Sequence, residues 1–303
     1  MHAALLTVLL FAASAIAAER ASRYWGGQRA NLIRLCVATL VMGAVTLVFY
    51  RPTLEPATYG WLFLSGMIGF GLGDIALFLA YVRIGARLTI LLNLCTAPLW
   101  SAAVEWLWMD VGLRPMEMAA GAIILAGVVM AILSREPGAA HHVGSRWAGV
   151  LFGLAAGWGQ GTGAVISRRA FAAAREAGFE LPGFSAAAQR VSGGFLTVLV
   201  LTAVFLAARR TTLPRPRVQA SRRKAVSWLL ATTFCGPILG VTCFQWALSV
   251  TPSAIVNTIV ATTPIAMIPM TMLADRERPR LLSVLGAVVA VAGVVLMLRV
   301  QTG

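Results

Sequence analysis

Two stretches near the ends of the two halves of this chain are almost the same. Gly121–Leu133 reads GAIILAGVVMAIL, and Gly286–Leu298 reads GAVVAVAGVVLML. The shared Ala-Gly-Val-Val begins at Ala126 and again at Ala292, 166 residues later. A sequence that recurs at a fixed distance predicts one structural unit that is built twice.

Two further landmarks keep nearly the same register, although the residues around them differ. Gly69 and Gly73 recur as Gly236 and Gly240 after 167 residues, and Pro98 recurs as Pro264 after 166. Similar apolar composition alone would not hold a register over some sixty residues. We therefore interpret the chain as two homologous halves, at 1–134 and 145–303.

The composition of the chain is that of a membrane protein. Its mean hydropathy is +0.81, 59% of its residues are hydrophobic and 12% are charged, whereas about 25% of the residues of a soluble domain are charged. The net charge of +14 comes from basic residues that lie mostly between apolar runs. This pattern favours contact with anionic lipid headgroups, and no nucleic-acid partner is expected.

Ten apolar runs have about the length that a helix needs to cross a bilayer. The predicted spans are 2–18, 31–50, 57–80, 86–109, 116–133, 147–167, 184–208, 225–250, 252–274 and 281–300. The fold class predicted is therefore an all-α integral membrane protein with ten transmembrane helices. Since five is odd, the second five-helix repeat enters the membrane from the opposite side, and the repeats are inverted.

The basic residues predict the orientation. Of the 25 lysines and arginines, 18 lie in or beside connections that follow odd-numbered spans, and such residues favour the cytoplasm. The 209–224 connection is therefore predicted to be cytoplasmic and both termini to lie outside, in what we expect to be a bacterial inner (plasma) membrane.

Glycines recur every four residues in several spans, and each set forms one bare helix face. They are Gly153, Gly157 and Gly161 in span 6, Gly69 and Gly73 in span 3, and Gly236 and Gly240 in span 8. Such faces let helices approach closely inside lipid. Either they serve packing alone, or they let the helices slide and open a central path.

Asp74 is the most interior acid of the predicted spans, and Phe78 lies one helical turn beyond it on the same face. A charge inside a span is costly and faces a cavity or a partner. Asp74 is either an interhelical hydrogen-bonded lock or a group that recognises a substrate amine or couples to protons. Arg190, in span 7, is expected to reach toward one membrane surface.

Further polar and aromatic side chains lie in the same predicted helices. The candidate substrate contacts are Asn93, Trp158, Gln160, Gln245 and Asn257. Each polar one could bind a substrate group or join two helices, and Trp158 could stack on a substrate ring.

The segment GFGLGDIALFLAYVRIGARLTILLNLCTAPLWSAAVEWLWMD, which begins at Gly69, together with the two repeated stretches, resembles the EamA repeat of the drug/metabolite transporter superfamily. The resemblance covers nearly the whole chain. It implies ten helices around a central cavity formed mainly by spans 1, 3, 4, 6, 8 and 9. It also implies export or exchange of small metabolites, often amino acids or related compounds.

The function predicted is secondary transport of a small metabolite by alternating access, with the lipid bilayer as surroundings and protons or a counter-substrate as possible coupling partners. A flippase for a lipid-linked carrier on the same fold is the alternative, with Arg190 or the 209–224 connection as its headgroup site. An intramembrane enzyme is a third alternative, but the sequence has no catalytic motif, no phosphate-binding loop and no metal-ligand pattern. No cofactor and no metal are therefore expected.

Overall fold

The computed structural model describes residues 2–109, 115–134, 144–208, 222–250, 253–275 and 280–302. Within these ranges all regular secondary structure is helical. Of the predicted cytoplasmic connection 209–224, residues 209–221 lie outside the described residues.

The described helices follow one another with short connections. They are α1 (His2–Trp25), α2 (Gly27–Phe49), α3 (Pro56–Gly66), α4 (Asp74–Met109), α5 (Pro115–Leu133), α6 (Arg146–Glu176), α7 (Gly183–Ala207), α8 (Arg222–Thr233), α9 (Leu239–Val250), α10 (Ser253–Val260), α11 (Thr263–Asp275) and α12 (Leu281–Thr302). A short 3₁₀ turn at Arg51–Thr53 precedes α3.

Seven of the described helical stretches are long and apolar enough to cross a membrane. The longest, Pro56–Trp108, is divided at Gly85, whose φ of 75° is left-handed. This conformation costs glycine little because glycine has no Cβ. The division falls between the predicted spans 57–80 and 86–109.

The sequence-based boundaries of several spans were wrong. The predicted span 147–167 was too short, because α6 continues to Glu176. The predicted spans 2–18 and 31–50 were too short, because α1 continues to Trp25 and α2 begins at Gly27, with only Gly26 (φ 79°) between them. The predicted span 252–274 consists of two helices, α10 and α11, with a turn between Val260 and Thr263. Pro264 is the second residue of α11. A backbone N–H at this position has no partner within the helix, so the missing N–H of proline costs no hydrogen bond.

Two π-helical segments interrupt the helices at corresponding places. Met67–Gly73 joins α3 to α4, and Phe234–Ile238 joins α8 to α9. Their first residues are 167 apart, which is the distance that separates Gly69 from Gly236. Pro237 has no N–H to give to the regular helical ladder, so the second segment has a local cause. Segments of this kind often mark functional sites.

The two repeated stretches of the sequence pack directly against each other. A Cβ built on Gly127 of α5 would lie 2.3 Å from the backbone nitrogen of Ala290 in α12, and one on Gly286 would lie 2.7 Å from the nitrogen of Ala131. As residue numbers rise along α5 they fall along α12, so the two helices run antiparallel. Only glycine at these positions allows so close an approach.

The glycine stripe of α6 lies against the second part of α4. Cβ atoms built on Gly153, Gly157 and Gly161 would lie 2.6 Å from Leu92, 2.2 Å from Thr96 and 2.4 Å from Ala97, respectively. Residue numbers rise together along the two helices, so they run parallel. This contact places the middle of α6 beside Asn93.

Large apolar side chains cover the outside of the bundle. Phe49 is 73% exposed and Leu273 is 84% exposed, while Phe78 and Phe244 are fully buried within the bundle. An apolar exterior of this extent is typical of a surface that faces lipid.

Candidate functional site

A cavity of about 60 Å³ lies inside the bundle, lined by side chains from both halves of the chain. Its polar lining residues are Ser14 of α1, Arg34 of α2, Asp74, Tyr81 and Asn93 of α4, Gln160 of α6 and Arg190 of α7. Its remaining lining residues are Phe11, Ala15, Phe70, Leu77, Ile90, Leu94, Gly236, Pro237, Val241 and Phe244. Both π-helical segments thus contribute to the wall.

Arg34 and Asp74 form a buried ion pair in this wall. The Nη2 atom of Arg34 donates to the carboxylate of Asp74 and also to Oδ1 of Asn31, 3.3 Å away. Arg34 is 4% exposed and Asp74 is 7% exposed. The Arg34 guanidinium also lies over the ring of Phe78, 4.7 Å from its centroid. Asp74 is the first residue of α4, so the preceding π-helical segment helps to position its side chain.

Arg190 does not reach a membrane surface as the sequence suggested. It is 1% exposed, and its guanidinium lies 5.2 Å from the ring centroid of Phe70. A Cβ on Gly69 would lie 2.7 Å from its Nη2, and a Cβ on Gly163 would lie 2.8 Å from it. The bare backbone of α6 and of the first π-helical segment therefore makes room for the guanidinium inside the bundle.

Several buried polar atoms around the cavity have no hydrogen-bond partner among the described residues. They include Nε of Arg34, Nε of Arg190 and Oδ1 of Asn93, and all three side chains line the cavity. Buried polar atoms normally have partners. The cavity thus offers both donors and an acceptor to a bound molecule.

The predicted site residues divide into two groups. Asp74, Asn93 and Gln160 line the cavity, and Phe78 packs against Arg34 behind it. Trp158, Gln245 and Asn257 are not among the lining residues.

Gln245 belongs to a hydrogen-bond network that joins the two halves, and it does not line the cavity. Its Nε2 donates to the hydroxyl of Ser167, 3.4 Å away, and Ser167 shares a 2.9 Å hydrogen bond with Ser65, whose hydroxyl also bonds the Gly163 carbonyl. Gln245 is completely buried. The network therefore ties α9, α6 and α3 together beside the cavity.

The helices around the cavity differ in part from those implied by the family resemblance. Spans 1, 3, 4, 6 and 8 contribute as expected, but span 9 provides none of the lining residues that the structure describes. Arg34 and Arg190 come from spans 2 and 7, which were not expected to take part. The arginines are long enough to reach the centre from helices that lie farther out.

Arg34 was missed by sequence reasoning. The predicted start of its helix at residue 31 made it look like a residue at the end of a span. Because α2 begins at Gly27, Arg34 lies two turns inside the helix. The signal that could have found it is the Gly26–Gly27 pair, which favours a turn and an earlier start of the helix.

The predicted packing glycines of span 8 also lie close to the site. A Cβ on Gly236 would lie 2.6 Å from the hydroxyl oxygen of Ser14 and 3.1 Å from Nη1 of Arg34. A Cβ on Gly240 would lie 2.8 Å from the ring of Phe11. These small residues thus leave space for side chains that form the cavity wall.

No described part of the chain gathers metal ligands. Among the described residues, no group of three or more histidine, cysteine, aspartate or glutamate side chains is placed to hold a metal ion. The charged residues that line the cavity are Arg34, Asp74 and Arg190.

Comparison with protein families gives the identity of the fold. The model of the EamA-like transporter family matches residues 1–133 and 147–299, which together are nearly the whole chain. The chain belongs to the EamA-like transporter family. The resemblance found in the sequence, to EamA-type transporters of the drug/metabolite transporter superfamily, is thereby confirmed. With its long apolar helices, this EamA-like protein is an integral membrane protein of a transporter family.

Solved structures with the same fold exist. One crystal structure, described only as "Crystal structure of protein", superposes with a TM-score of 0.63 at 16% sequence identity, over 97% of this EamA-like chain and 94% of the other. At this identity the likeness concerns the fold alone. No curated protein matches the chain.

Proposed function

We propose that this protein is a secondary transporter that moves a small metabolite by alternating access through the cavity between its two halves. The observation that supports this most is the position of the cavity. Its wall combines residues of both ranges that the family model matches, including the buried charges Arg34, Asp74 and Arg190. Buried charges in a membrane protein usually mark a substrate or ion pathway.

The architecture we propose has ten spans, as two inverted repeats at 1–134 and 145–303. Four observations support it. The family model aligns with two ranges; the repeated stretches meet in an antiparallel contact; the two π-helical segments start 167 residues apart; and Gly85 divides the longest apolar stretch. The division at Gly85, together with α6 and α12, would bring the seven apolar stretches to ten.

A topology measurement tests this arrangement and its orientation. Reporter fusions within 135–145 and after Gly303 should report opposite faces, because five spans separate them, while the N-terminus and Gly303 should share a face. We expect the 209–224 connection in the cytoplasm of a bacterial cell and both termini outside. Fusions within 135–145 and after Gly303 that reported the same face would contradict the inverted repeat.

Alternating access requires this cavity to open. A volume of about 60 Å³ accommodates a few water molecules but not a typical metabolite. We propose that the helices part along the glycine contacts, such as those of Gly153, Gly157 and Gly161, and bend at the π-helical segments. In this proposal Asp74, Asn93 and Gln160 contact the substrate, and Phe78 and Gln245 support them.

Flux into proteoliposomes tests the function. Purified full-length protein should carry at least one compound of a broad metabolite panel across the membrane, driven by a proton gradient or by a counter-substrate. Asp74→Asn should reduce this flux strongly, while Glu176→Gln, which alters an exposed ion pair with Arg169, should leave it unchanged. Absence of flux for the whole panel would contradict the function; equal flux in Asp74→Asn would contradict the site.

The flippase alternative receives less support. It requires a basic headgroup site, and Arg190, one of its two candidates, is 1% exposed and lines the internal cavity. The other candidate, the 209–224 connection, lies outside the described residues up to residue 221. Transport of a small solute accounts for a residue placed like Arg190 better than contact with a lipid headgroup does.

A further inference from the structure

The charges that line the cavity do not balance. Its charged lining residues are Arg34, Asp74 and Arg190, two cations and one anion. Arg34 holds Asp74 in a direct ion pair. In the part of the chain that the structure describes, Arg190 makes no hydrogen bond or direct ion pair, although Asp74 attracts it electrostatically. An aromatic face such as that of Phe70 stabilises a guanidinium but does not neutralise its charge.

The two arginines occupy equivalent positions in the two halves. Arg34 is the eighth residue of α2, which begins at Gly27, and Arg190 is the eighth residue of α7, which begins at Gly183. Each guanidinium lies beside a glycine of the π-helical segment in the opposite half. A Cβ on Gly236 would lie 3.1 Å from Nη1 of Arg34, and a Cβ on Gly69 would lie 2.7 Å from Nη2 of Arg190.

The acid is present in one half only. Asp74 directly follows Gly73, and in the second half the residue that follows Gly240 is Val241. Asp74 and Val241 both line the cavity. The first half therefore contains an arginine with its carboxylate, and the second contains an equivalent arginine with a valine where the carboxylate would be.

We propose that the substrate itself supplies the second carboxylate: the cavity binds a small organic monoanion whose carboxylate pairs with Arg190 beside Val241. This assignment rests on the proposed transport function, and it names the class of compound that would be transported. One negative charge brings the sum of the cavity charges to zero. A phosphate dianion would exceed it, and a cationic metabolite would meet a surplus of positive charge.

The chemistry of the wall supports a carboxylate in particular. A guanidinium offers two parallel N–H groups that match the two oxygens of a carboxylate. Nε of Arg190 has no partner within the described residues, so donors are available. Oδ1 of Asn93 is an unpaired acceptor in the same wall among the described residues, which favours a substrate that also carries an uncharged donor such as a hydroxyl.

The first test supplies the missing acid by mutation. Val241→Asp should pair with Arg190, so the full-length protein should melt at a higher temperature than Val241→Asn, which has the same shape without the charge. In the Arg190→Gln background the order should reverse, since the new carboxylate would then be buried without its partner. A lower melting temperature for Val241→Asp than for Val241→Asn with Arg190 intact would overturn the proposal.

The second test uses the unmodified full-length protein and simple probes. Acetate and L-lactate should raise its melting temperature in a saturable way, since a ligand that binds only the folded state stabilises it. Acetamide and lactamide, at the same ionic strength, should not. Arg190→Gln should weaken the lactate response at least about 30-fold, whereas Arg190→Lys should keep part of it.

The outcomes of the second test are decisive in either direction. Equal responses to the carboxylates and their amides, or a stronger response to inorganic phosphate, would overturn the carboxylate assignment. Flux of a cationic or neutral metabolite without any carboxylate response would do so too, while leaving the transport function intact. A carboxylate response without flux of any panel compound would support the site and contradict transport.

Discussion

The two halves of this protein share their packing but differ in their charges. Gly127 of the first half and Gly293 of the second both press against the opposite helix at the contact between α5 and α12. Arg34 and Arg190 likewise take the same position in their helices. At Asp74 and Val241, by contrast, one half has a buried acid and the other a hydrocarbon side chain.

This difference separates the residues that pack the bundle from the residues that line its cavity. Residues that bring helices together occur in both halves because each half must pack against the other in the same way. A substrate is not symmetric, so a cavity that binds it gains from unequal walls. The repeated residues therefore report on the fold, and under the proposed transport function the unequal ones concern the substrate.

The largest effect is expected from breaking the charged pair. Asp74→Ala leaves the Arg34 guanidinium buried without its carboxylate, and we expect the free energy of unfolding to fall by about 3–5 kcal/mol. Unfolding of the purified protein in mixed micelles would measure it. The control is Glu176→Ala, which breaks an exposed pair and should change stability by about 0–1 kcal/mol. Equal losses in the two variants would show that the Arg34–Asp74 pair is not a buried ion pair.

A smaller effect, similar in both halves, is expected from the packing glycines. Gly127→Ala and Gly293→Ala each introduce a Cβ that meets backbone atoms within 3 Å, and each should lower stability by about 1–3 kcal/mol. Gly43→Ala is the matched control, because a Cβ there meets nothing within 4 Å. A strong loss at Gly127 with none at Gly293 would contradict the shared packing of the two halves.

The smallest effect is expected from the hydrogen bonds that join the halves. Ser167→Ala removes the hydroxyl between Ser65 and Gln245, and we expect a loss of about 0.6 kcal/mol, the average for bonds between membrane helices. Ser249→Ala, whose hydroxyl bonds only within its own helix to the Trp246 carbonyl, is the control. A Ser167→Ala variant as stable as this control would show that the network contributes nothing.

Much of the fold could be predicted from the sequence. Runs of apolar residues such as 116–133 predict helices because every backbone polar group must find a partner inside lipid. The nearly equal offsets from Gly69 to Gly236, from Pro98 to Pro264 and from Ala126 to Ala292 together predict a repeat. These signals are local or periodic, so a single chain displays them.

The site could be predicted only in part, because its main interactions join residues that are far apart in sequence. Asp74, Asn93 and Gln160 stand out as polar residues inside apolar runs. No pattern indicates, however, that Arg34 pairs with Asp74, 40 positions later. Nor does one indicate that Gly69 and Gly163 admit Arg190 into the interior, since that depends on how three helices pack.

The most direct test of the central claim is to move the acid from one half to the other. In the double variant Asp74→Val, Val241→Asp, the ion pair should form at Arg190, and the protein should regain most of the melting temperature lost in Asp74→Val alone. That result would establish that the two arginines are equivalent and that the halves differ at this point in a single carboxylate, which the second half lacks. A double variant less stable than Asp74→Val alone would contradict the account.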